Sequence, residues 1–140
     1  MANEAILIHE TEAPIPMTCA EDAGIAKGAL LILANPMTVT THAANDEALF
    51  AGIAAEEKIA DDGKTKIAVY MGGVFLLTGS AAFSAGETLA LSATAQRVKK
   101  TDATTLAGKS FALALEDCGA NAETAVCRIY PGIGGSLGLS

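Results

Sequence analysis

A chain of 140 residues is long enough for one domain that buries about two-thirds of its unfolded surface. Its 51% apolar content, with no Trp and little other aromatic, points to a folded core of small and aliphatic side chains and excludes disorder. The formal net charge of −7 opposes non-specific binding to nucleic acid and to anionic membrane, so neither is expected as a partner.

The chain opens with "MANEAILIHETEAPIP", whose apolar run extends only from Ala5 to Ile8 and follows Glu4 rather than a basic segment. No signal peptide is expected there, and no stretch reaches the roughly 18 apolar residues of a membrane span. Residues 1–16 read as an extended, Pro-punctuated N-terminal arm, 17–131 as the domain and 132–140 as a flexible Gly-rich tail. Turn residues cut the domain into short apolar runs without a long helical stripe, the pattern of an all-β barrel or sandwich with little helix. The expected strands are Ala5–His9, Met17–Cys19, Ala29–Leu33, Thr38–Thr41, Phe50–Ala55, Lys66–Met71, Val74–Thr78, Thr88–Ser92, Arg97–Lys99, Phe111–Leu115 and Ala125–Tyr130. One segment is ambiguous: Asn45-Asp46-Glu47 could cap a helix with Leu49, Phe50 and Ile53 on its apolar face.

Motifs of chemistry are scarce. Gly63-Lys64-Thr65 has the ending of a phosphate loop, but Lys58 stands where the first Gly is required, and the alternating Ile67 and Val69 that follow predict a strand instead of a helix. Asp61-Asp62-Gly63 reads as a tight turn. Gly108-Lys109-Ser110 fails in the same way, with Ala103 at the Gly position. Gly132-Ile133-Gly134-Gly135 has no helix after it. His9 and His42 lie beside polar segments and are expected to be exposed, not catalytic. The adjacent carboxylates Glu56-Glu57, Asp61-Asp62 and Glu116-Asp117 read as solvated turns, since neighbours in a strand point to opposite faces. Arg97, Lys99 and Lys100 lack the interleaved aromatics of a nucleic-acid site and suggest a solvent-facing or interface strand. Cys19, Cys118 and Cys127 contain no metal-ligand spacing and read as buried free thiols, although a bridge between Cys118 and Cys127 across "GANAETAV" is also compatible with the sequence. No catalytic residue, cofactor or metal site is expected, and the chain is not read as an enzyme.

A different pattern is present. "FAGIAAEEKIADDGKTKIAVYMGGVFLL", "FSAGETLALSATAQRV" and "AGKSFALALEDCGANAETAVCRIYPG" together resemble the small head-decoration proteins of tailed bacteriophages, and more narrowly a set of short phage proteins often labelled predicted recombinases. The resemblance rests on Gly52 to Glu56, the acidic turn Asp61 to Gly63, Gly73 to Phe75, Ala85 to Leu91, Ala112 to Glu116 and the final "AVCRIY", and covers residues 24–131. The recombinase label would need an ATP-binding loop that neither tripeptide supplies. The resemblance implies a compact β-barrel or sandwich and tips residues 50–56 toward strand. It also implies a structural virion protein, made in the host cytoplasm, that binds the major capsid protein on the outer capsid surface. Such a protein would act as a homotrimer and stabilise the shell against the pressure of packaged DNA. On this reading Ala5, Ile6, Leu7 and Ile8 contact the capsid or a neighbouring copy by β-edge addition, with Pro14 and Pro16 stiffening the link. The alternative role for Ala5–Ile8 is the first strand of the domain's own barrel. The alternative function is a receptor- or carbohydrate-binding module of a head fibre or adhesin.

Overall fold

The computed structural model describes residues 3–44, 48–101 and 109–130, and within them each of the eleven expected strand segments overlaps a strand. They are β1 (Ile6–His9), β2 (Ile15–Thr18), β3 (Leu30–Asn35), β4 (Thr38–Thr41), β5 (Phe50–Ala54), β6 (Lys66–Tyr70), β7 (Gly73–Thr78), β8 (Thr88–Leu91), β9 (Val98–Lys100), β10 (Ser110–Ala114) and β11 (Thr124–Ile129). No described residue is helical. β2, β4, β3, β5 and β6 close into a five-stranded barrel, and β1, β7, β11, β10, β8 and β9 form a six-stranded sheet in that order. The chain passes from sheet to barrel after β1 and back after the Met71-Gly72 turn.

Two cores follow from this arrangement. Met17, Leu31, Val39, Ala51, Ala54, Ile67 and Val69 fill the barrel. Leu30, Phe50 and Ile53, from the same two strands β3 and β5, turn the other way and pack against Phe75, Leu77, Leu89, Phe111 and Ile129 of the sheet. Because neighbouring residues of a strand point to opposite faces, β3 and β5 are each a wall between two cores. This is why β5 is buried at all five positions and why its helical reading fails over Phe50–Ala54. A helix offers one apolar stripe, whereas these residues must present apolar surface on both sides. Phe50 stacks on Phe111 with ring centroids 3.8 Å apart, joining barrel to sheet. The suggested cap Asn45-Asp46-Glu47 and the tail 132–140 lie outside the described residues.

The boundary expected between arm and domain at residue 16 falls inside β2. Ile15 to Thr18 pair antiparallel with Val69 to Lys66, so Pro16 is built into the barrel wall. On its other side β2 meets β4 only through Thr18 and Thr38, and this thin seam is where a residue without an N–H is tolerated.

A buried polar cluster fastens sheet to barrel. The Gln96 side chain, from the turn between β8 and β9, accepts from the Leu30 N–H and donates to the Leu30 carbonyl at 3.0 Å and to the His42 carbonyl at 2.8 Å. His42 Nδ1 accepts from the Gln96 N–H at 3.0 Å, which leaves Nε2 to donate to the Ser92 carbonyl 3.1 Å away. His42, expected at the surface, is thus buried.

Candidate functional site

β1 lies at one edge of the six-stranded sheet. It pairs antiparallel with β7, Ile6 opposite Leu76 and Leu7 opposite Phe75, with an irregularity between Leu7 and His9 that leaves Ile8 out of register. Among the described residues its other edge has no partner strand, and all four of its residues are exposed. Ala5, by contrast, is buried in the core, and its N–H donates to the Gly28 carbonyl at 2.9 Å. Gly28 holds a φ of +83°, and a Cβ built on it would lie 2.8 Å from the Ala5 carbonyl oxygen. Only a residue without a side chain lets residues 4 and 5 cross the barrel this closely. A notch of about 240 Å³ between Ala5–Leu7 and the barrel residues Lys27, Ala54 and Tyr70 marks the crossing. Of the six residues expected to make contacts, Ile6, Leu7 and Ile8 therefore stand together on an open strand edge. Ala5 anchors that strand, Pro14 lies in the link to the barrel, and Pro16 is exposed on β2.

A second apolar surface, which sequence reasoning did not identify, lies at one mouth of the barrel. Met17, Leu33, Met37, Leu49, Phe50 and Met71 line an open groove of about 270 Å³. Leu33 is the last residue of β3 before its pairing with β4 shifts register, and Met37 sits in the β3–β4 turn with a φ of +54°. These residues come from five separate stretches of chain, so no local pattern marks them. The one local signal is an apolar Met where a left-handed turn residue would ordinarily be Gly, Asn or Asp.

The opposite mouth is polar and internally satisfied. Lys58 is buried, and its ammonium donates to the carbonyls of Glu21 at 2.7 Å, Ala23 at 3.0 Å and Ile59 at 3.2 Å, while pairing with the Asp62 carboxylate at 3.3 Å. The Lys64 N–H donates to Asp62 at 2.9 Å, and this bond, with Lys58 beside it, holds the Asp62 carboxyl below its ordinary range. The Gly63 N–H donates to the Glu21 carboxylate at 3.0 Å. Gly63-Lys64-Thr65 is therefore a turn whose first two backbone donors already hold carboxylates, with no nest left for a phosphate. The other acidic turns behave alike: Glu56 accepts from the Ala68 N–H, and Asp117 from the Ala85 N–H. All three cysteines are buried free thiols, which resolves the open question about Cys118 and Cys127. Burial pushes the Cys127 thiol up to about 12, with Cys118 and Glu116 adding to the shift, so it is not a nucleophile at neutral pH. Among the described residues no group of His, Cys, Asp and Glu could hold a metal ion.

The fold has a solved counterpart. The structure of the head fibre gp8.5 N base of bacteriophage phi29 superposes with a TM-score of 0.51 at 13% identity, over 86% of this chain and 97% of that one. Curated proteins offer no sequence match. The family model for phage cement protein matches residues 8–129, a span that takes in ten of the eleven strands whole and the end of β1. With that match across most of its length, the chain belongs to the phage cement protein family.

Proposed function

We propose that this protein binds the exterior of an assembled phage capsid, through its major capsid protein, and reinforces the shell against the pressure of packaged DNA. Family membership supports a structural, capsid-associated role. The observation that carries the rest is β1, an apolar strand exposed at all four residues with a backbone edge that no strand among the described residues pairs. Such an edge is a template for strand addition, and soluble proteins ordinarily blunt it with Lys, Pro or a covering segment. Here Ile6, Leu7 and Ile8 leave it open, while Ala5 and the Gly28 crossing hold it rigidly in place. A rigid edge binds with little ordering cost, and several copies in one oligomer add their contacts through effective concentration.

The experiment is co-sedimentation of the purified protein with undecorated mature capsids, followed by heating of the decorated shells. Saturable binding and a raised rupture temperature are expected. Shells that neither bind the protein nor gain heat resistance would overturn the proposal. Because Ala5 belongs to the core and β1 pairs with β7, the informative variant is Ile6→Lys on the exposed strand rather than removal of the N-terminal segment, which would take a strand from the sheet.

A further inference from the structure

Strand alternation sorts the residues of the six-stranded sheet onto two faces. Phe75 and Leu77 of β7, Ala125 and Cys127 of β11, and Ala112 and Ala114 of β10 point into the core shared with the barrel. The residues between them point outward, and the register sets them in two rows. In one, Ile6 lies opposite Leu76 and Leu76 opposite Val126, whose carbonyl accepts from the Leu115 N–H at 2.8 Å. In the other, Val74 lies opposite Arg128, Arg128 opposite Leu113, and Leu113 opposite Thr88 of β8. An antiparallel sheet packed on one face ordinarily turns polar residues outward on the other. Here Ile6 and Leu115 are exposed, Val74, Leu76, Leu113 and Val126 are half-buried, and none of the six belongs to either core. A contiguous apolar patch of this kind marks an interaction surface.

We propose that this outer sheet face, from β1 across β7 and β11 to β10, is the footprint of the capsid subunit, which meets it with an apolar surface and a carboxylate opposite Arg128. The inference rests on the capsid-binding reading and extends its contact from the β1 edge to the face beside it. A strand added to the free edge of β1 lies in the plane of the sheet, so the subunit that supplies it must lie against one of the two faces. The barrel fills the inner face, which leaves the outer one. The patch is continuous with that edge: it begins at Ile6 and ends at β8, where Thr88 faces outward and its hydroxyl bonds the Thr101 hydroxyl at 2.6 Å. Charge argues for the carboxylate. In a chain of net charge −7, Arg128 is the sole Asp, Glu, Lys or Arg on β1, β7, β10 and β11. Its guanidinium lies over the Tyr130 ring, 4.8 Å from the centroid, and among the described residues it makes no ion pair. A guanidinium held on an aromatic face is placed in advance for a carboxylate brought by a partner.

The test is the affinity of variants for undecorated mature capsids, with hydroxyl-radical labelling of the face in free and capsid-bound protein. Leu115→Lys changes an exposed residue three strands from β1, roughly 14 Å away at the usual strand spacing, so its effect is not damage to the β1 edge. It is expected to weaken binding by about tenfold or more. Arg128→Gln is expected to weaken binding severalfold and to reduce its dependence on salt. Ile59→Lys and Lys64→Gln, which make the same charge changes at exposed positions of the polar barrel mouth, are expected to bind as wild type. Should Leu115→Lys misfold by circular dichroism, Val126→Thr removes apolar surface from the same row without changing shape or strand preference. Leu76, Leu113 and Leu115 are expected to label in the free protein and severalfold less on capsids. Face variants that bind as wild type, or controls that weaken binding equally, would overturn the footprint. A face already shielded in the free protein would also overturn it, assigning the patch to a second copy or to residues 131–140 of the same chain. The two readings fail separately. Wild type that does not bind capsids overturns the capsid reading, whereas binding that depends on Ile6 but not on Leu115 or Arg128 overturns only the footprint.

Discussion

Gln96 makes more structural contacts than its sequence position announces. Its amide pairs with both main-chain groups of Leu30 and also reaches the His42 carbonyl, so one side chain ties the sheet to the barrel. Gln96→Ala should cost about 2–4 kcal/mol, because it leaves buried donors and acceptors unpaired instead of merely deleting contacts; a urea titration reads this as a lower midpoint. Cys127 gives a test in pH. The folded state holds its proton up to about 12, whereas the unfolded chain releases it near 8.5. Its contribution is therefore whole below about 8.5 and is lost as pH rises from there toward 12, since the folded state binds the extra proton. Unfolding midpoints of wild type and Cys127→Ala should converge over that interval. Asp62 has the opposite sign: its carboxyl is held low by the Lys64 N–H and Lys58, so its contribution is present above the ordinary carboxylate range and fades as pH falls through the lowered value. Asp62→Asn should flatten the acid limb of the stability profile.

At the scale of elements, β1 depends on the Gly28 crossing. Gly28→Ala meets both a left-handed φ and the Ala5 carbonyl, so a cost of roughly 1–3 kcal/mol is expected. That loss should appear first as faster amide exchange at Ala5, Ile6 and Leu7, ahead of the barrel. Strand positions were legible in the sequence because period-two alternation and Gly or Pro breaks are local signals. Lys66–Tyr70 and Gly73–Thr78 show this plainly, with alternating burial along each strand. Phe50–Ala54 was ambiguous because a strand buried on both faces has no alternation to display. The open edge was legible as an apolar segment, Ala5 to Ile8, but its pairing with β7 was not. That pairing joins residues about seventy positions apart.

For the whole molecule, acidic connections surround strands that carry no carboxylate. Copies carrying a net charge of −7 repel one another and salt screens that repulsion, so the second virial coefficient measured by light scattering should fall between low and physiological ionic strength. The same acidity opposes non-specific binding to nucleic acid.

By itself the sequence determined the all-β class, the places where strands start and stop, the absence of a phosphate loop at Gly63-Lys64-Thr65, and a resemblance that the family match sustains. Each of these is set by a few neighbouring residues: alternation, a turn glycine, a missing glycine five positions earlier. Tertiary structure alone decided that the strands divide into a five-stranded barrel and a six-stranded sheet sharing β3 and β5 as a double wall. It also turned His42 inward, gave Gln96 its place between the two layers, and gathered the groove from five stretches of chain. The physical reason is the same in each case. Strand pairing and side-chain burial are settled between residues far apart in the chain, where the local pattern carries no record of which partner will be met.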